Sequence, residues 1–232
     1  MELWLFLLRW IHFLAGITWI GILYYFNFVQ TPFFAETEPA VRSAAIQKLV
    51  PRALWWFRWG AMFTFLAGLL IYLHKLAQAG VAGFYSTSYG WAITVGGLLG
   101  TVMFLNVWLV IWPKQQVVIA SATQMAQGGQ AIPEAAACAR RAALTSRTNT
   151  VLSIPMLFYM GAASHLTLFG EASAGAIAGL IVIGGIIIAA VEANALVGSQ
   201  GPTKKPLDTV SGTLWAGFIQ AAIFHLLFVI LF

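Results

Sequence analysis

One stretch limits this chain more than any other: RWIHFLAGITWIGILYYFNFVQTP, Arg9 to Pro32, an apolar run that nevertheless carries Arg9, His12, Asn27 and Gln30. About twenty apolar residues, each rising about 1.5 Å, cross the hydrocarbon of a bilayer, so His12 is expected inside the membrane. An ionisable side chain at that depth needs a partner or a function. The run has no basic leader and no small-residue cleavage site, so it is expected to stay in the mature protein.

Apolar runs predict transmembrane helices over about 3–29, 53–76, 89–112, 150–169, 174–197 and 210–231, joined on one side by loops 30–52, 113–149 and 198–209. The expected fold is therefore all-α: a polytopic membrane helix bundle with six crossings, in which residues 1–232 form a single integral membrane domain. Of the 232 residues, 60% are hydrophobic and 8% charged, which excludes a soluble globular domain.

Charge then sets the orientation. Of the 12 Lys and Arg residues, only Arg9 and Lys75 lie on the side of the termini, whereas Arg42, Lys48, Arg52, Arg58, Lys114, Arg140, Arg141, Arg147, Lys204 and Lys205 lie on the other. Basic residues collect on the cytoplasmic side, so both termini are expected in the periplasm, with the chain in a bacterial inner membrane. The net charge of +5 is thereby explained by topology and by membrane lipids, and a nucleic-acid partner has no support.

Along the chain, Pro39 and Pro51 bracket a short helix that is expected to lie on the cytoplasmic face. Trp55, Trp56 and Trp59 mark the interface at which the second span enters, with Arg58 just inside. GVAGFYSTSYG reads as an exposed loop, and 113–149 as two short helices extending the neighbouring spans. Glu192 places an acid in the fifth span, at a depth from which Arg58 or Arg147 is in reach. The glycines of the third and fifth spans suit close packing, within the chain or against other subunits of an oligomer. Cys138, the single cysteine, makes no internal disulfide, and no C-x-x-C-H occurs.

All four histidines fall in one leaflet under this topology. His12 lies roughly 13 Å and His225 roughly 10 Å below the surface, with His165 and His74 shallower. Imidazoles from different helices at similar depth can clamp a haem iron, making His12 with His225 or His165 the candidate axial ligands of a haem b. Arg9, three residues before His12, is placed to pair with a propionate or to snorkel to the surface. A single membrane histidine also serves simply as a helix-packing hydrogen-bond donor, and His74 beside Lys75 reads as interfacial.

The motifs RWIHFLAGITWIGILYYFNFVQTP, PRALWWFRWGAMFTFLAGLL, NVWLVIWPKQQ, RTNTVLSIPMLFYMGAASH and VEANAL resemble, in order, the amino-terminal membrane domain of bacterial urate hydroxylases, the PuuD-type urate oxidases. The first helix alone is also similar to the opening of HemJ-type membrane haem proteins. The urate hydroxylase resemblance implies oxidation of urate to 5-hydroxyisourate, with electrons passed to a periplasmic c-type cytochrome. It singles out His12, His165, Asn149 and Glu192, each within a matched motif; His225 rests on depth alone. Without a C-x-x-C-H, either the acceptor is a separate protein or the chain has lost the urate reaction and serves another redox system. Two other readings compete: a non-catalytic accessory subunit of a larger respiratory complex, and a permease, which ranks last for want of internal repeats.

Overall fold

The computed structural model describes residues 2–170 and 172–232. Among them every regular element is helical. The first run forms α1 (Glu2–Tyr24), passes through a π-helical segment (Tyr25–Gln30) and ends as α2 (Thr31–Glu36). After the surface helix α3 (Pro39–Lys48) comes α4 (Val50–Tyr85). Next, α5 (Ser88–Leu105) runs through a second π segment (Asn106–Ile111) into α6 (Trp112–Ala126). The chain closes with α7 (Ala135–His165), α8 (Ala174–Leu196), a 3-10 segment (Pro202–Asp208) and α9 (Val210–Leu231).

Among the described residues five stretches are long and apolar enough to cross a membrane: Leu3–Glu36, Val50–Tyr85, Ser88–Ala126, Ala174–Leu196 and Val210–Leu231. Of the segment 150–169, expected as a further span, the part up to His165 belongs to the longer and more polar α7, which does not join that set. The reason is position. Helix α7 packs against α5, α6, α8 and α9, so the residues that face no solvent of any kind are those of its own middle. From Leu144 to Ser153 all ten residues are buried.

Of two sequence expectations about connections, one changes and one holds. The stretch GVAGFYSTSYG is largely the continuation of α4, bent at Gly80, whose φ of 69° is the left-handed conformation open to glycine. The bend turns Phe84 inward, where it is 2% exposed, and brings the Tyr85 hydroxyl 2.6 Å from that of Tyr72. Thr87 then caps α5 through its side chain. Residues 113–149 form continuations of the neighbouring helices, as expected, joined by the connection 127–134 that turns at Gly128.

Candidate functional site

Two sites emerge from the packing, and each begins with a small residue or a loosened turn. The first lies in the seam between α1 and α4. Along α4, Gly60, Thr64 and Gly68 stand four apart, hence on one face. A Cβ on Gly60 would sit 3.1 Å from the Trp19 nitrogen and 3.3 Å from the Ala15 carbonyl, so its absence lets the two backbones approach.

At the end of this seam lies His12, half-buried. Its Nδ1 is 2.8 Å from the Thr64 carbonyl oxygen. A carbonyl can only accept, so Nδ1 carries the proton and Nε2 keeps its lone pair. The ring lies over Gly68, where a Cβ would come within 2.9 Å of Cε1 and 3.1 Å of Nδ1. An imidazole that donates one nitrogen to a backbone carbonyl and presents the other is the arrangement of a metal-binding histidine. The ring and its glycine cradle thus fit a haem ligand.

The other histidines have different surroundings. His74, on α4, has a buried Nε2 without a hydrogen-bond partner among the described residues. His165 ends α7 exposed. His225 is exposed on α9, with its ring 5.7 Å from that of Phe158 on α7. Helix α1 packs chiefly on α4, and α9 on α7 and α8, so the structure gives His12 and His225 separate neighbourhoods rather than one shared pocket. Among the described residues no three His, Cys, Asp or Glu side chains form a metal-binding cluster. Arg9 is exposed.

The second site surrounds the buried middle of α7. Asn106, at the start of the second π segment, donates from Nδ2 to Asn149 Oδ1 and to Glu192 Oε2, both at 2.9 Å. Asn149 in turn donates to the Met103 carbonyl at 3.0 Å. The first π segment mirrors this: Asn27 donates to the Leu23 carbonyl at 2.8 Å and to Ser146 Oγ at 2.9 Å. Ser153 gives its only proton to the Thr150 carbonyl, so the Tyr24 hydroxyl, 2.9 Å away, donates to Ser153. A π turn leaves main-chain carbonyls open to side-chain donors: the Leu23 carbonyl accepts from Asn27 of its own run, and the Met103 carbonyl from Asn149 of α7.

Glu192 does not reach either arginine. Its Oε1 is buried without a partner among the described residues. Arg58 instead lies 3.9 Å over the Trp112 ring, with Trp108 and Trp59 at 5.7 and 6.0 Å, so the π faces of an aromatic box balance its charge. Arg147 donates to the Leu207 carbonyl at 2.9 Å. Carbonyl and aromatic partners replace the expected carboxylate because α8 turns Glu192 toward Asn106. The roles of Asn106 and Asn27 are the ones sequence reasoning missed. The signal available was a lone amide within each apolar run; its partners lie 43 to 119 positions away.

Residues 79–210, more than half of the chain, match the family model described as urate oxidase N-terminal. The chain belongs to that family. The match includes Asn106, Asn149, His165 and Glu192, and so covers most of the α7 network. Comparisons with curated proteins and with solved structures give no match.

Proposed function

We propose that this family member is a membrane haem b redox protein of the urate hydroxylase type, seated in the bacterial inner membrane with α7 as a sixth crossing and both termini periplasmic. Its substrate is urate, and its electrons pass to a periplasmic c-type cytochrome. The observation that carries the reading is His12: its tautomer is fixed by the Thr64 carbonyl and its ring is accommodated by Gly68, which leaves Nε2 as a ligand. Bound there, haem b would supply reversible one-electron chemistry.

The chain's own residues do the rest. The Thr64 carbonyl fixes the tautomer and orientation of the imidazole, and its hydrogen bond to Nδ1 raises the donor strength of Nε2. Arg9, one turn toward the amino terminus, supplies a cation for an anionic side group. In the other half of the bundle, Asn106 and Asn149 hold the Glu192 carboxyl in a fixed orientation among apolar helices. The family match supports the urate assignment, and the five apolar stretches support the membrane setting.

A reduced-minus-oxidised absorption spectrum of the purified protein, with a pyridine haemochrome assay, tests the reading. One b-type haem per chain, reduced on addition of urate, is the expected result; a folded protein without haem overturns it. His12→Ala is expected to abolish bound haem while the protein remains folded, and full retention would remove His12 as a required ligand. A reporter fused after Phe232 is expected to be active in the periplasm; activity in the cytoplasm would reverse the proposed orientation.

A further inference from the structure

The basic corner formed by α7, the end of α8, the 3-10 segment and the start of α9 holds more cations than it has partners for. Arg140 forms an ion pair with Asp208, the one such pair among the described residues, and donates to the Ser199 carbonyl at 3.0 Å. Arg141 caps the end of α8 through the carbonyls of Ala195 and Gly198. With Arg147 on the Leu207 carbonyl, all three arginines tie the connecting segment to α7. Lys204 and Lys205 are left over. Lys204 is only 5% exposed, and the hydrogen bond its ammonium makes is to Asn194 Oδ1 at 3.3 Å. A lysine so enclosed, with a single neutral acceptor, is short of an anion.

Beside it opens a groove of about 290 Å³ between α7, α8 and α9. Val151, Val191 and Ala216 give it apolar walls, and Asn194 and Leu207 border it at the end nearest Lys204. Thr148, also in its lining, is 1% exposed, and its hydroxyl has no partner among the described residues. The groove is thus apolar along its length, the Lys204 ammonium reaches the Asn194 oxygen on its lining, and the groove lies between the end of α8 and the start of α9.

We propose that this groove is a binding site for an anionic phospholipid, with an acyl chain between α8 and α9 and the phosphate at Lys204 and Lys205. The amphiphilic character of the site selects this ligand. A free phosphate would gain nothing from the apolar walls, and a zwitterionic lipid would bring its own cation to the lysines. The proposal does not depend on the haem reading.

Native mass spectrometry of the full chain in detergent, titrated with diacyl phosphatidylglycerol, phosphatidylcholine and glycerol phosphate, tests it. The expected result is one phosphatidylglycerol held per chain, about tenfold or more tighter than phosphatidylcholine, with no competition by glycerol phosphate. Lys204→Ala/Lys205→Ala is expected to erase that preference. Ala216→Phe, which fills the groove and leaves both lysines in place, is expected to weaken the lipid similarly and decides the matter if the double variant does not fold. Equal binding of the two lipids, wild-type binding by either folded variant, or full competition by glycerol phosphate would overturn the proposal, the last by revealing a simple phosphate site.

Discussion

Helices α7 and α8 lie side by side and obey opposite rules. In α8, an almost unbroken apolar helix, the buried residues are Ala176, Leu180, Gly184, Ile188 and Ala195, while Ile181, Val182 and Ile186 are each more than half exposed. Helix α7 carries Thr145, Ser146, Arg147, Thr148, Asn149, Thr150 and Ser153, and every one of them is buried. A protein in water would invert this assignment. With lipid as the surrounding medium, apolar side chains lose nothing by facing outward, and polar ones must find their bonds inside. Hydropathy therefore reports what a helix touches, and a helix wrapped by its neighbours escapes that test.

The contrast can be broken most severely at Asn149. Asn149→Leu removes the acceptor for one Asn106 proton and the donor to the Met103 carbonyl, and is expected to cost about 2–3 kcal/mol in a detergent unfolding titration. Ile186→Ala, on the exposed face of α8, is expected to cost about 0.5 kcal/mol or less in the same titration. Equal losses would erase the distinction between the two helices.

Glycines sharpen it. A Cβ on Gly217 of α9 would press on Ile154 and stand 3.1 Å from the Val151 carbonyl, both on α7, whereas one on Gly185 of α8 would meet nothing within 4 Å. Gly217→Ala is expected to destabilise by about 1–3 kcal/mol, and Gly185→Ala to be neutral or to stabilise by up to about 1 kcal/mol. Thermal melts of the two variants give the comparison directly. Glu192, where α8 touches the network, should give the smallest contrast. Glu192→Leu strands one Asn106 N–H at about 1–2 kcal/mol, while Glu192→Gln keeps an oxygen acceptor and a melting temperature near that of the wild type. Identical melts for the two would show that the carboxyl oxygen contributes nothing there.

Much of this architecture was legible in the sequence because lipid-facing helices are written as apolar runs. Five such runs stand out by length and composition, and α3 appears between its two prolines as expected. His12 was legible for a different reason: an imidazole in an apolar run is conspicuous whatever lies around it. What could not be read was pairing. Depth alone put His225 level with His12, but depth says nothing about which helices are neighbours, and α9 lies against α7 and α8. The same limit applies to Glu192, assigned to an arginine by charge and found with an asparagine. Opposite charges attract in any medium, yet inside a bundle the side chain that is already positioned takes the bond, and Asn106 is positioned by a backbone irregularity that no composition reveals.

That irregularity has a consequence for the length of the chain itself. A π turn accommodates one residue more than an α turn, so everything after it is rotated by roughly 100° relative to an unbroken helix. Both such turns therefore act as phase shifters. The face of α5 that packs on α7 and the face of α6 that carries Trp112 over Arg58 are set to different angles by the insertion between them. Losing a single residue from Asn106–Ile111 would leave hydropathy, charge and helix content almost untouched and yet swing α6 away from its aromatic box. Within these two segments the chain is more tolerant of an exchanged residue than of a changed count.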